Sequence, residues 1–199
     1  MRKTPLLFVA GAIGACTLVA STDAHALGPL SLEVGINAGY GSNPDSNSYS
    51  PNPLGFGLGG RAGVSVFGLY GGLAGDYYFG SSENGLSAHT AKYGLQVGYN
   101  LGIPFITIRP QVGFGNLSIS YSGSSSGVGA MSGVSPESQN SLWIEPGVVG
   151  LITLGIFFVG ADINALMVTK YPETLNPDGS WGTSFKVALT AHGQLGLTF

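Results

Sequence analysis

The chain has 199 residues, of which only 9% are charged, and its formal net charge is −3. A soluble domain usually has about 25% charged residues, and a helical membrane protein has apolar runs of about 20 residues. This chain has neither feature, because its 34 glycines and many uncharged polar residues are interspersed with apolar ones. The composition favours a protein with an apolar exterior and an uncharged polar interior.

The N-terminus has the features of a secretory signal peptide. Arg2 and Lys3 are followed by an apolar stretch over 6–20 and then by Ala24-His25-Ala26, which is the order of a basic region, an apolar region and a cleavage site. We therefore predict a signal peptide over 1–26 and one domain over 27–199. A short anchoring helix is disfavoured because the apolar stretch is too short to span a bilayer.

A second interpretation of the N-terminus stays open. Ile13-Gly14-Ala15-Cys16 resembles a lipoprotein box, and cleavage there would leave a lipidated Cys16 at the start of the chain. The apolar stretch continues beyond this cysteine, which suits cleavage after Ala26 better.

The residues from Leu27 onward limit the chemistry of the protein. With Cys16 removed no cysteine remains, which excludes disulfides, a cysteine nucleophile and cysteine-ligated metals. Five basic and nine acidic residues follow Leu27, so a nucleic-acid partner is not expected. No cofactor and no metal are expected either.

Alternation with period two dominates the rest of the chain, as in strands with one apolar and one polar face. In the last segment the odd positions from Phe185 to Phe199 are apolar or glycine, whereas most even positions are polar. The same pattern predicts eight strands, at 31–40, 54–66, 69–79, 91–100, 105–117, 142–154, 157–168 and 184–199. The nearly continuous apolar run over 148–161 is interpreted as two strand halves around a hairpin.

The connections between these strands alternate in length. Short links lie near Gly68, Ile103 and Gly155, and long links rich in Gly, Ser, Asn and Pro cover 41–53, 80–89, 120–141 and 170–182. Transmembrane β-barrels have short periplasmic turns and longer outside loops. The pattern predicts an all-β fold, an eight-stranded antiparallel up-and-down barrel. A soluble β-sandwich is the alternative, with charges on its outer surface.

The placement of charged residues favours the barrel over the sandwich. Each predicted strand has one charge on the face predicted to line the lumen, and the remaining charges lie in predicted loops. The eight lumen residues are Glu33, Arg61, Asp76, Lys92, Arg109, Glu145, Asp162 and Lys186. A lysine or arginine facing the middle of the bilayer costs about 2–4 kcal/mol, and the pattern avoids this cost.

Aromatic residues are predicted to form two belts at the membrane interfaces. Those near the long loops are Tyr40, Phe56, Tyr77, Phe79, Trp143, Tyr171 and Trp181. Those near the short turns and the C-terminus are Phe67, Tyr70, Tyr99, Phe105, Phe157 and Phe199.

On these features the chain resembles the small outer-membrane β-barrel family typified by the OmpA transmembrane domain and OmpX. The alternation of Leu195, Leu197 and Phe199 is similar to the C-terminal signal that the barrel-assembly machinery recognises in this family. The resemblance implies an integral protein of the outer membrane of a Gram-negative cell. It also implies two partners, the lipid bilayer and the assembly machinery through Phe199.

The eight lumen charges are the candidate binding network. Four acids and four bases predict neighbouring pairs at Glu33/Arg61, Asp76/Lys92, Arg109/Glu145 and Asp162/Lys186, with Lys186 also reaching Glu33 where the barrel closes. An eight-stranded barrel is narrow enough to be filled by side chains, so a neutralised, plugged interior is the main hypothesis. A narrow pore gated by the same network is the alternative.

Two other features suggest more specialised functions. Pro110 and Pro146 directly follow lumen charges on adjacent strands, and two bulges there could open the wall to an apolar ligand; simple tolerance of proline is favoured. His89 and His192 are the only histidines after Leu27, and neither has the local pattern of a lipid-hydrolysing triad. We therefore predict a non-catalytic outer-membrane barrel with a structural or surface-interaction role. A narrow, porin-like pore for small polar or apolar solutes is the alternative, and the loop partner stays open.

Overall fold

The computed structural model describes residues 30–44, 51–83, 86–103, 105–123, 139–175 and 181–199. The signal peptide predicted over 1–26 lies outside these residues. The strands are β1 (Leu30–Gly41), β2 (Gly55–Val66), β3 (Leu69–Tyr78), β4 (Ser82–Glu83), β5 (Leu86–Tyr99), β6 (Leu101–Ile103), β7 (Ile106–Gly123), β8 (Gln139–Leu154), β9 (Phe157–Leu175) and β10 (Trp181–Thr198). In the described part of the chain no helix is both long and apolar enough to cross a membrane.

Eight of these strands form a closed antiparallel barrel. Each long strand pairs with the next one along the chain, β5 pairs with β7, and β1 pairs with β10 to close the sheet. The short strands β4 and β6 extend the edges of β5 and β7. The predicted eight-stranded up-and-down barrel is therefore confirmed. Closure pairs the edges that would remain free in an open sheet.

The barrel has a turn end and a loop end. At the turn end, Phe67-Gly68 and Gly155-Ile156 make two-residue turns, and Gly68 and Gly155 have φ values of 85° and 65°. Such positive φ values suit glycine, which has no Cβ. The long connections all leave from the loop end, as predicted.

Several strands extend beyond their predicted ends at the loop end. β5 begins at Leu86, β7 continues to Gly123, β8 begins at Gln139 and β9 continues to Leu175. The predicted loops over 80–89, 120–141 and 170–182 were therefore too long. Serine and glycine suggested a loop there, but hairpin pairing with the neighbouring strand extends the ladder regardless of side chain.

The extended part of β7 shows where the bilayer ends. Its outward side chains change from Ile108, Val112 and Phe114, which are 40–44% exposed, to the exposed polar residues Asn116 and Ser122. Over the same stretch the inward side chains become apolar. An apolar interior with a polar exterior suits water, so β7 leaves the bilayer between Phe114 and Asn116.

Aromatic side chains on the outer surface lie in two groups. Near the loop end the exposed ones are Tyr40, Phe56, Tyr77, Phe79, Tyr93 and Phe185, and near the turn end they are Phe67, Tyr99, Phe105, Phe157 and Phe199. Three residues predicted for these belts, Tyr70, Trp143 and Tyr171, are instead buried inside the barrel. Tyr70 lies an even number of residues from Asp76 on the same strand, and Trp143 lies an even number from Glu145. Both aromatic side chains therefore point inward, like these two carboxylates, and the prediction of the belts did not take this into account.

The two prolines are accommodated without the pair of bulges that would open the wall. The pairing of β7 with β8 continues in one register through Pro110 opposite Val148 and Val112 opposite Pro146. The pairing of β8 with β9 is interrupted at Glu145 and Pro146. Because proline has no backbone N–H to donate, its loss of a strand-to-strand hydrogen bond costs least at such an interruption.

Candidate functional site in the barrel lumen

The structure places the eight sequence-predicted lumen charges on the inward face. Seven are less than 9% exposed, and Lys186 is half-buried. Their inward placement follows from strand parity, because successive side chains point to opposite faces. Whether they bind a solute stays a prediction.

Near the turn end, two arginines share one carboxylate. Arg61 Nη2 lies 3.2 Å from Glu33 Oε2, and Arg109 Nη2 donates to the other oxygen of the same residue. Arg109 Nε also donates to Asn100 Oδ1 at 2.6 Å, and its guanidinium carbon lies 3.7 Å from the centre of the Tyr70 ring. We call Glu33, Arg61, Tyr70 and Arg109 the arginine cluster.

Further towards the loop end, one lysine bridges two carboxylates. Lys92 Nζ lies 3.2 Å from Asp76 Oδ2 and 2.6 Å from Glu145 Oε2. Asn37 also donates to Asp76 at 2.7 Å, and Thr190 donates to Glu145 at 2.9 Å. Each carboxylate therefore has a cation and a neutral donor.

A histidine in the same region links a carboxylate to a phenol. His192 Nδ1 lies 2.7 Å from Asp162 Oδ1, and His192 Nε2 lies 2.8 Å from Tyr78 Oη. Gln194 and Asn164 donate to the same carboxylate. We call Asp76, Lys92, Glu145, Asp162 and His192 the acidic layer. Strand parity alone places His192 on the lumen face, but its two partners could not be predicted from the sequence, because Tyr78 lies on the distant strand β3.

The predicted pairs are partly correct. Glu33 with Arg61 and Asp76 with Lys92 form as predicted. The pair of Arg109 with Glu145 is wrong, because Arg109 contacts Glu33 and Glu145 contacts Lys92.

The pair of Asp162 with Lys186 is also wrong. Asp162 lies opposite His192, whereas Lys186 lies opposite Val168. Six residues along a strand are about 20 Å, which is too far for an ion pair. The predicted contact of Lys186 with Glu33 is wrong too, because Glu33 lies opposite Thr198, and the twelve residues of β10 from there to Lys186 span about 40 Å.

Two groups of apolar side chains pack around these polar groups in the lumen. Val149, Leu151 and Phe158 form one cluster beside the arginine cluster, which we call the inner apolar cluster. A larger group, the outer apolar layer, lies at the loop end and consists of Leu54, Tyr78, Leu117, Ile119, Trp143, Leu166, Val168, Tyr171 and Ala188. This layer was not predicted, because the alternation in the sequence suggested that apolar side chains face the lipid along the whole length of each strand.

The segment before β2 caps the outer apolar layer. Residues 51–54 are all buried. Asn52 donates from its side chain to Gly41 O at 3.0 Å and accepts from Leu54 N at 3.0 Å, and Pro53 O accepts from Thr90 Oγ1 at 2.8 Å. These bonds hold Leu54 over the loop end of the lumen.

Two shallow apolar depressions lie on the lipid-facing wall among the residues that the structure describes. One, of about 540 Å³, lies over small residues including Ala38, Gly160 and Gly193. The other, of about 710 Å³, lies near Tyr93, Phe114 and Leu142. Both lie on the face that contacts acyl chains, and neither reaches the lumen charges.

Comparison with known proteins gives fold neighbours only. No protein-family model and no curated protein matches the chain. The solved structure of a major outer membrane protein from Thermus thermophilus matches at 13% identity with a TM-score of 0.51, covering 85% of this chain and 99% of that one. The fold is that of a small outer-membrane β-barrel.

Two further solved structures match this barrel less closely in shape. Neisserial surface protein A matches at 11% identity and a TM-score of 0.48, covering 85% of this chain and 96% of that one. Ail, the attachment invasion locus protein of Yersinia pestis, matches at 17% identity with a TM-score of 0.47, covering 85% of this chain and 97% of that one.

The outer surface agrees with this fold. Large apolar side chains such as Ile36, Leu73 and Ile163 are 62–67% exposed on the outer wall, and the strand charges described above point inward. Acyl chains favour this distribution and water does not. The barrel is therefore an integral outer-membrane protein.

Proposed function

We propose that the protein is a non-catalytic outer-membrane barrel with a closed lumen, and that its role is structural or depends on contacts made by its outer surface. The observation that carries this proposal is the order of layers along the lumen. The outer apolar layer closes the lumen on the loop-end side of the arginine cluster and the acidic layer, and the inner apolar cluster packs among the charged residues, with Val149 opposite both Arg109 and Asp162. A solute or ion crossing this lumen would have to pass the dehydrated outer layer and disrupt the buried ion pairs beneath it.

The charged groups support a structural role for the lumen. The arginine cluster joins β1, β2 and β7, and Lys92 joins β3, β5 and β8. Contacts between strands that are not neighbours in the sheet fix the shape of the barrel, because they act across its interior. We propose that the eight charges stabilise the wall rather than bind a transported solute.

The histidine chain does not favour catalysis. Tyr78 Oη, His192 and Asp162 have the order of a nucleophile, base and orienting acid, but Tyr78 is 0% exposed. A substrate cannot reach this hydroxyl without displacing side chains of the outer apolar layer, to which Tyr78 belongs. The proposal of a non-catalytic protein rests on this burial.

The extended strands support a role at the cell surface. β7 and its neighbours continue beyond the bilayer edge with a polar exterior, as the exposed Asn116 and Ser122 show. Long outer segments are the usual place for recognition in such proteins. Their composition identifies no partner.

Vesicle swelling and single-channel recording test the closed lumen. Purified protein reconstituted into lipid vesicles should give no swelling in small sugars or amino acids and no stable current steps, whereas a general porin in the same vesicles gives both. Swelling that depends on solute size would contradict the closed lumen and support the narrow pore. If Glu33→Gln then alters the current, the arginine cluster gates that pore.

The C-terminus supports the proposed assembly partner. Phe199 N and O bond to Leu32 O and N, each at 2.9 Å, so this residue completes the seam between the first and last barrel strands. We propose that the barrel-assembly machinery recognises Phe199. Changing Phe199 to Ala should lower the amount of folded barrel in membranes, while refolding in detergent stays efficient. Equal membrane yields of the two forms would contradict this proposal.

A further inference from the structure

We propose that the arginine cluster is a binding site for one small monovalent anion, such as chloride, enclosed in the turn end of the barrel. The first observation is the charge of the cluster. Arg61 and Arg109 contribute two positive charges, and Glu33 contributes one negative charge. All three side chains are at least nine-tenths buried, so water outside the barrel compensates the remaining positive charge poorly, and the carboxylates of the acidic layer act on it only from beyond hydrogen-bonding distance of the free arginine donors.

The second observation is that the cluster has unused donors. In the described part of the chain, Arg61 Nε and Nη1, Arg109 Nη1 and Tyr70 Oη are buried and have no hydrogen-bond partner. All four atoms can donate a hydrogen bond. Buried donors without a partner are rare in folded proteins and indicate an additional acceptor at the site.

The acidic layer does not supply this acceptor. Asp76, Glu145 and Asp162 each accept bonds from their own donors within that layer. Towards the periplasm the guanidinium of Arg61 lies 5.2 Å from the centre of the Phe158 ring, which is part of the inner apolar cluster. The arginine cluster is thus bordered by apolar side chains and by carboxylates that accept from other donors.

Size and charge select a monatomic anion. The lumen of an eight-stranded barrel is filled largely by side chains, and one negative charge balances the cluster. A water molecule would satisfy some donors but would leave the charge.

Refolding in defined salts tests the site. The protein is refolded into uncharged detergent in sodium chloride, sodium bromide or sodium gluconate at one ionic strength, and the thermal midpoint is read from the gel mobility of folded and unfolded forms. Chloride and bromide should raise the midpoint in a saturable manner relative to gluconate. Equal midpoints in chloride and gluconate would overturn the proposal.

Two variants locate the effect. Arg61→Gln leaves a neutral Glu33–Arg109 pair and should abolish the dependence on chloride, whereas Lys170→Gln removes an exposed cation outside the cluster and should retain it. If Arg61→Gln does not refold, Tyr70→Phe serves instead. It removes one donor and should weaken the apparent chloride affinity by about tenfold. Full chloride dependence in the refolded Arg61→Gln protein, or in Tyr70→Phe, would contradict the site.

A bromide derivative gives a direct measurement. Crystals grown from protein refolded in bromide should show an anomalous peak in contact with Arg61, Arg109 and Tyr70. Ordered water alone at this position would overturn the proposal. A bromide peak there would support it independently of any change in stability.

Discussion

Lys92 Nζ lies 2.6 Å from Glu145 Oε2, although the two residues belong to β5 and β8, which are separated in the sheet by β7. The same nitrogen lies 3.2 Å from Asp76 on the neighbouring strand β3. One lysine thus connects two sectors of the wall through the lumen. Such a contact stabilises the barrel across its interior, in addition to the hydrogen bonds between neighbouring strands.

Replacing Lys92 by Met should destabilise the barrel strongly. Met has a similar length but no charge, so Asp76 and Glu145 would be buried near each other without a cation. Breaking a buried ion pair in this way costs about 3–5 kcal/mol. The free energy of unfolding is measured by urea titration in detergent, with gel mobility as the readout.

Lys170→Met is the matched control, because Lys170 is exposed at the loop end of β9. Its free energy of unfolding should change by no more than about 0.5 kcal/mol. Adding Asp76→Asn and Glu145→Gln to Lys92→Met should recover most of the lost stability, since no buried charge then remains in this group. Equal stability of the two lysine variants would show that the bridge contributes little.

The sequence predicted the architecture because alternation, connection length and charge parity all depend on local geometry. Side chains of one strand alternate between two faces whatever its partners are, so Glu33 and Asp162 could be assigned to the lumen separately. The strand ends were less predictable. The extension of β7 to Gly123 depends on hairpin pairing with β5 and β8, and serine-rich strand ends resemble loops in composition.

The partners inside the lumen could not be predicted from the same information. Which inward side chains meet depends on the stagger of neighbouring strands and on contacts across the barrel. Asp162 meets His192 rather than Lys186 because the register of β9 and β10 sets them opposite each other. The order of charges along the chain gives neither the stagger of the strands nor the contacts across the barrel. Only some pairs on adjacent strands, such as Glu33 with Arg61, were therefore predicted correctly.

Glycines beneath Trp143 should be sensitive to a single added methyl group. A Cβ at Gly94 would lie 2.7 Å from Trp143 Cζ2 and would also clash with the backbone oxygen of Phe114. We expect Gly94→Ala to lower the free energy of unfolding by about 1–3 kcal/mol, as overpacking usually does. Gly71→Ala is the control, because a Cβ there meets nothing within 4 Å. If both variants are as stable as the parent protein, the packing of Trp143 is looser than the structure shows.

Surface labelling should establish the orientation of the barrel. In a Cys16→Ser background, a cysteine is introduced either by Ser122→Cys at the loop end or by Phe67→Cys at a tight turn. Intact cells are then treated with a maleimide that does not cross membranes. The Ser122 variant should be labelled and the Phe67 variant should be labelled only after lysis, since short turns face the periplasm. The opposite pattern would mean that the loop end faces the periplasm, and it would contradict the proposed recognition role of that end.

An arginine on the outer wall should test the bilayer contact itself. Ile36 lies in the middle of β1, is 66% exposed and points away from the lumen. Replacing Ile36 by Arg should cost about 2–4 kcal/mol in lipid vesicles if this position faces the middle of the bilayer. Ser122→Arg adds the same charge to an outward position beyond the bilayer edge and should cost little. The difference is measured by urea titration of protein folded into the vesicles. Equal stability of the two variants would mean that the band around Ile36 does not contact hydrocarbon.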